Sequence, residues 1–246
     1  MTWTLYEGDC LEIMPTLQDK VDMILCDLPY GTTQNAWDSV IPLDRLWQEY
    51  RRLIKDNGAI VLTAQTPFDK VLGCSNLPWL RYEWIWEKDQ GTGHLNANKM
   101  PLKIHENVLL FYQEMPTYNP QMERGKPYTQ KRKPLNDSGT NYGYVQRTHT
   151  INKGQRYPQT IKRFARETGL HPTQKPVALF EYLIRTYTNY GDTILDNCAG
   201  SGTAGVAAEN LGRNSIMIER DPKYCDIIRK RMANRQTTLF EMGAEI

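Results

Sequence analysis

Short apolar runs that each close on an acidic residue, separated by amphipathic stretches, constrain this chain more than any other feature. Val21-Asp22-Met23-Ile24-Leu25-Cys26 stops at Asp27, Thr193-Ile194-Leu195 at Asp196, and Ser215-Ile216-Met217-Ile218 at Glu219. Thr4-Leu5-Tyr6 runs into Glu7-Gly8-Asp9-Cys10. Further strands are expected at 59–62, 80–87 and 105–113. Helices are expected at 11–17, 42–55, 67–73, 176–189, 204–211 and 224–234. In the helix over 42–55, Leu43, Leu46, Trp47, Tyr50, Leu53 and Ile54 share one side, with Pro42 at its start and Asn57-Gly58 beyond its end. Strands alternating with helices call for an α/β fold with a mainly parallel sheet covered on both faces.

The 246 residues suffice for one sizeable α/β domain carrying a modest insertion. No run of eighteen apolar residues is present, and the start lacks a basic region followed by an apolar core, so an intracellular protein is expected. Five cysteines, an odd count without paired spacing, read as reduced thiols packed as small hydrophobes. Four scattered histidines and the absence of a Cys-x-x-Cys pair make metal catalysis unexpected.

Charge is unevenly spread. Residues 123–166 hold eleven Lys and Arg against two acidic residues, while the remainder holds nineteen against twenty-six. A mildly acidic body with a basic segment is the layout of a nucleic-acid binder. Within 115–170 apolar periodicity vanishes, and Lys131, Arg132, Lys133, Arg147, Arg156, Lys162 and Arg163 are interleaved with Tyr128, Tyr142, Tyr144, Tyr157 and Phe164. That mixture suits phosphate contacts combined with stacking. The polar stretch 88–103 is expected to be a functional or mobile loop.

Two loops carry candidate chemistry. Asp27-Leu28-Pro29-Tyr30-Gly31 follows a buried strand, where ligands bind in open α/β sheets. Its carboxylate and a freed carbonyl can accept from an amino group, and its tyrosine can stack on a flat base. Gly200-x-Gly202-x-x-Gly205, after a strand and before a helix, matches the dinucleotide fingerprint, with Glu219 placed for a ribose. Asp196 disfavours a pyrophosphate there and suits a ligand bearing an ammonium, which argues against a nicotinamide oxidoreductase. The glycine loop comes late, so most of the sheet must come from the N-terminal half. If the closing helix leads back to 4–6, then Asp9, Glu219, Asp196 and Asp27 line one edge, for an adenine amino group, a ribose, an ammonium and a substrate amine.

With these residues the chain resembles the S-adenosylmethionine-dependent amino-methyltransferases of DNA, in their beta-type permutation. Asp27-Leu28-Pro29-Tyr30 resembles the catalytic loop, 196–202 the cofactor loop, and His171-Pro172-Thr173-Gln174-Lys175-Pro176 the segment before the first cofactor strand. The match covers 4–114 and 171–234. Leu28 stands where the family usually has proline, a position that contributes its backbone carbonyl. The resemblance implies a Rossmann-like methyltransferase fold, circularly permuted, with a mainly parallel seven-stranded sheet containing one antiparallel strand. Residues 1–114 would form the catalytic half, 115–170 a target-recognition insertion and 171–246 the cofactor half. Catalysis would fall to Asp27, Leu28, Pro29 and Tyr30. S-adenosylmethionine would be held by Asp9, Cys10, Asp27, Thr173, Lys175, Asp196, Cys198, Ala199, Gly200, Gly202, Thr203, Glu219 and Arg220. The implied substrate is double-stranded DNA, with adenine N6 favoured over cytosine N4. A homodimer, a cognate restriction enzyme and a prokaryotic or phage origin are also implied. RNA or protein-glutamine methyl transfer is disfavoured by the loop order, and a silent DNA-binding module by the intact loop.

Overall fold

The computed structural model describes residues 1–32, 38–130, 149–170 and 173–243, the side chains of 234–243 excepted. In chain order, β1 (Trp3–Glu7) leads to α1 (Cys10–Ile13), which gives way at Pro15 to a single 3-10 turn. Next come β2 (Val21–Asp27), α2 (Leu43–Leu53), β3 (Ile54–Ala64), α3 (Phe68–Ser75), β4 (Leu80–Thr92) and β5 (Lys103–Phe111). Four short strands follow: β6 (Glu123–Arg124), β7 (Tyr128–Gln130), β8 (Thr150–Asn152) and β9 (Gln155–Arg156). The chain ends through β10 (Ile161–Phe164), α4 (Val177–Tyr187), β11 (Thr193–Asp196), α5 (Thr203–Asn210), β12 (Asn214–Glu219) and α6 (Pro222–Gly243).

Eight strands form the main sheet in the order β1-β12-β11-β2-β3-β5-β4-β10. β5 alone is antiparallel to its neighbours β3 and β4, and the other adjacent pairs run parallel. The seven expected strands thus gain an eighth, β10, at the outer edge. Its Ile161-Lys162-Arg163-Phe164 sits in the basic stretch, where apolar spacing gave no sign of a strand. β11 lies between β12 and β2 although it comes late in the chain, and β1 pairs with β12 so that Glu7 faces Glu219.

Both sheet faces are buried because the central strands alternate apolar residues toward each side. Ile24, Cys26, Ile60 and Leu62 pack with Leu46, Trp47, Tyr50 and Leu53 of α2 and with Phe68 and Leu72 of α3. Met23, Leu25, Ala59 and Val61 pack on the opposite face with Leu179, Phe180, Leu183 and Ile184 of α4 and with Ala204, Ala207 and Ala208 of α5. A third cluster joins Val206, Met217, Ile228 and Met232 beneath α6.

Two expectations change. Ile54, read as the last apolar residue of the helix over 42–55, instead opens β3, buried beside Val21 on β2. The stretch expected as a loop at 88–103 is shorter: β4 runs on to Thr92, opposite Lys103 at the start of β5, and 93–102 connects the two strands. Its polar residues concealed the strand: Lys88 is 4% exposed and paired with Glu106 at 2.7 Å.

Residues 120–159 form a separate compact unit, while 1–119 and 160–246 form the main one. In the smaller unit β6 pairs with β9 and β7 with β8, both antiparallel.

Trp84 on β4 donates its indole N–H to the Tyr187 hydroxyl at 2.6 Å, and Tyr82 meets the same oxygen at 2.7 Å. Tyr187→Phe leaves the buried indole N–H without this acceptor. It is expected to lower stability by about 1–3 kcal/mol, read as a shifted urea midpoint at constant slope.

Candidate active site

Four neighbouring parallel strands, β1, β12, β11 and β2, end on the same edge, and each end supplies a carboxylate to it. Asp9 follows β1 and caps α1, accepting from the Leu11 N–H at 2.8 Å. Glu219 closes β12, Asp196 closes β11 and Asp27 closes β2. They line one cavity of about 230 Å³, together with Leu28, Pro29 and Tyr30. Cys10, Thr173, Lys175, Cys198, Ala199, Gly200, Thr203 and Arg220 line the same cavity.

Gly202 stands apart from that lining and shapes the loop instead. Its φ of +79° lies in the left-handed region, and a Cβ there would stand 3.0 Å from Ile228. Gly205 lets α5 lie on β12, since a Cβ would collide with the Met217 sulfur. The loop is braced by the Gly200 N–H, which donates to Glu219 Oε2 at 2.7 Å, and by Arg231, which donates to the Ser201 carbonyl at 3.0 Å. Beneath it the buried Tyr50 hydroxyl donates to Asn197 Oδ1 at 2.6 Å.

The acids differ in environment. Asp196 is 3% exposed, and burial pushes its carboxyl up to about 7, against the Cys198 N–H that favours the ionised form. Burial also raises Glu219, opposed by the N–H groups of Asp221 and Gly200. Such an edge suits a ligand that brings a positive charge to Asp196 and hydroxyls to Glu219, and it repels a pyrophosphate.

Asp27 is held differently. Its Oδ1 accepts from Tyr30 Oη at 2.8 Å and from the Thr63 hydroxyl, and its Oδ2 accepts from Lys175 Nζ at 2.7 Å. Tyr30 stacks on Phe68, with ring centroids 5.4 Å apart and planes at 23°. Burial, followed by the charges of Asp27 and Glu106, keeps the Tyr30 phenol protonated by raising its pKa. The Lys175 ammonium, expected at the methionine end of a cofactor, is held by Asp27 and, at 3.3 Å, by Glu106. Thr63, Phe68 and Glu106 escaped the sequence reading. The one available signal was a Glu-Asn pair opening an otherwise apolar strand at Glu106-Asn107.

Of the expected nucleic-acid contacts, Lys131, Arg132, Lys133 and Arg147 lie outside the described residues. Arg156 is engaged within its own unit: it donates to Asn152 Oδ1 and to the Lys126 carbonyl, and its guanidinium lies 4.8 Å from the Tyr128 ring. On β10, Lys162 rests 5.5 Å from the Tyr182 ring, and its neighbour Arg163 is exposed.

Sheet order, glycine loop and acid edge define a Rossmann-like methyltransferase. The chain belongs to the N6/N4 family of DNA methylases, whose profile, described as DNA methylase, matches residues 21–230. It is 28% identical over 242 residues to the DNA adenine methyltransferase YhdJ of Escherichia coli, covering 90% of this chain and 79% of the relative. It is 26% identical over 268 residues to the type II methyltransferase M.HinfI of Haemophilus influenzae, covering 93% and 68%. The crystal structure of an M1.HpyAVI–SAM complex superposes with a TM-score of 0.66 at 24% identity, covering 94% of this chain and 99% of that one.

A carboxyl that binds a proton more tightly when folded makes stability fall as pH rises between its two pKa values. For Asp196 the window runs from 3.8 to about 7. Urea midpoints measured across it should decline with pH, and Asp196→Asn should flatten that decline.

Proposed function

We propose that this DNA methylase moves a methyl group from S-adenosylmethionine to the exocyclic N6 amine of an adenine flipped out of duplex DNA. The observation that carries the reading is the opening of the Asp27-Leu28-Pro29-Tyr30 loop into the same cavity as Asp196 and Glu219. That arrangement sets an amine-accepting group beside a site for a cationic nucleoside. When bound, S-adenosylmethionine supplies an electrophilic methyl on a sulfonium leaving group, so that forming the new N–C bond breaks the C–S bond with its electrons going to sulfur.

The protein's share is positioning. Asp196 answers the ammonium of the cofactor, Glu219 its ribose hydroxyls and Asp9 its adenine amino group. Tyr30, backed by Phe68, offers a ring on which the flipped base stacks. Asp27 and the Leu28 carbonyl accept from the target amine, turning its nitrogen lone pair toward the methyl group. After transfer the amine loses a proton to solvent, which restores a neutral base. Cys10, Thr173, Cys198, Ala199, Gly200, Thr203 and Arg220 complete the cofactor wall, and Gly202 fixes the loop.

Residues 115–170 are proposed as the target-reading region on the strength of their charge and interleaved aromatics, and 1–114 and 171–246 as the catalytic and cofactor halves. The late glycine loop supports a circularly permuted order. Two copies of the chain and a cognate restriction enzyme are the further partners that the family resemblance implies.

Labelled methyl transfer to unmethylated duplex DNA, with RNA and bulk protein alongside, tests the reading. N6-methyladenine in the digested DNA is the expected product. N4-methylcytosine would keep the family and correct the base, and label confined to RNA or protein would overturn the substrate. Asp27→Ala should lower turnover by at least about 10²-fold. Its cofactor affinity, measured by calorimetry, should stay within about twofold, because Asp196 and Glu219 provide the charged contacts.

A further inference from the structure

At the Asp27-Leu28-Pro29-Tyr30 loop lies a network of four charges from distant parts of the chain, three of them buried and Asp27 half-buried. Asp27 closes β2, Lys88 is on β4, Glu106 is on β5, and Lys175 lies just before α4. Lys175 is 5% exposed, Lys88 4% and Glu106 9%. Lys175 Nζ stands 2.7 Å from Asp27 Oδ2 and 3.3 Å from Glu106 Oε2, while Lys88 Nζ stands 2.7 Å from Glu106 Oε1. The Tyr30 hydroxyl sits between the two carboxylates, 2.8 Å from Asp27 Oδ1 and 3.4 Å from Glu106 Oε2.

Formally the four charges cancel, which is what makes their burial tolerable. Burial works against the Lys175 ammonium, yet Asp27 and then Glu106 raise its pKa. Burial likewise works against the Glu106 carboxylate, which Lys175 and then Lys88 hold below its usual range. Both groups therefore stay charged at neutral pH. Other groups facing Asp27 are the Thr63 hydroxyl on β3, the Cys26 thiol beside it and the Asp196 carboxyl on β11. Among the described residues, Lys175 is the cation in direct contact with Asp27.

We propose that Lys175 and Glu106 are positioning residues for methyl transfer: Lys175 orients the Asp27 carboxylate, and Glu106 shares that cation so that Asp27 retains the capacity to accept from the target amine. The inference rests on the methyltransferase reading above and deepens it. An ammonium has three N–H donors but one charge. Committed wholly to Asp27, it would hold the carboxylate as a closed pair and weaken it as an acceptor. Shared with Glu106, it neutralises without saturating. The arrangement also places a cation 5.4 Å from the Tyr30 ring centroid, which fixes that ring beside the acceptor.

The two residues should move the pH profile of turnover in opposite directions. Lys175→Met leaves two carboxylates facing each other across the Tyr30 hydroxyl, so that a proton is taken up at higher pH. Turnover at pH 7 should fall about tenfold or more, with the acid limb of the profile shifted upward and partial recovery near pH 9. Lys175→Arg should restore the position of the acid limb. Glu106→Gln hands the cation to Asp27 alone, so turnover should fall while the acid limb moves to lower pH. S-adenosylmethionine affinity should change less than about twofold in all three variants.

Loss of cofactor affinity in Lys175→Met with an unmoved acid limb would overturn the inference and return Lys175 to the cofactor site. Equal shifts in both variants would overturn it as well. Glu106→Gln keeps the shape of the side chain and carries the test if Lys175→Met does not fold. A wild-type protein that methylates no DNA would sink the functional reading. The network would then be tested by carboxyl carbon NMR, where Lys175→Met should bring one further carboxyl into titration near neutral pH, and its absence would overturn the network.

Discussion

The ion pair between Asp27 and Lys175 joins parts of the chain 148 residues apart, alongside the pairing of β2 with β11 and the packing of α4 on β2. One partner ends β2, and the other stands at the entry to α4. Burying two charges is costly unless they are paired and hydrogen-bonded. Here the pair is joined by Glu106, Lys88, Tyr30 and Thr63, so each charged group is met by a partner of the right kind. Misplacing either partner strands a charge in the interior, a penalty that adds to the loss of the β2–β11 ladder.

Around that pair the sheet does its work through order. Parallel strands point their carboxyl ends to one edge, and four adjacent strands place an acid there. Their environments separate the acids by role. Asp196 is deeply buried with few donors and rises toward neutrality, Glu219 is braced by backbone N–H groups, and Asp27 is held by side-chain donors and a cation. One chemical group, the carboxylate, thereby stands in three different electrostatic settings along a single edge.

Much of this was legible in the sequence, because runs such as Val21-Asp22-Met23-Ile24-Leu25-Cys26 announce buried strands and the acids mark their ends. The glycine loop was legible because Gly202 and Gly205 serve backbone geometry and close packing. What the sequence hid were polar residues with internal partners. Lys88 reads as loop polarity, yet it is buried and paired with Glu106 on β5. Arg156 reads as a phosphate contact, yet its guanidinium is engaged by Asn152, the Lys126 carbonyl and Tyr128. Lys175 was legible as a functional lysine but not as the partner of Asp27, since 148 residues separate them in the chain.

The placement of β11 between β2 and β12 bears on how the molecule is made. A ribosome delivers β2 long before β11, and at roughly 5–20 residues per second the delay is about 10–30 s. During that interval one side of β2 has no strand to pair with, and the Asp27 carboxylate waits for its cation. Contacts of such long sequence separation are slow to form and leave sheet edges open to other chains. The arrangement that gathers four acids on one edge therefore leaves the nascent protein most vulnerable to misassociation at its future active site, until the last quarter of the chain arrives.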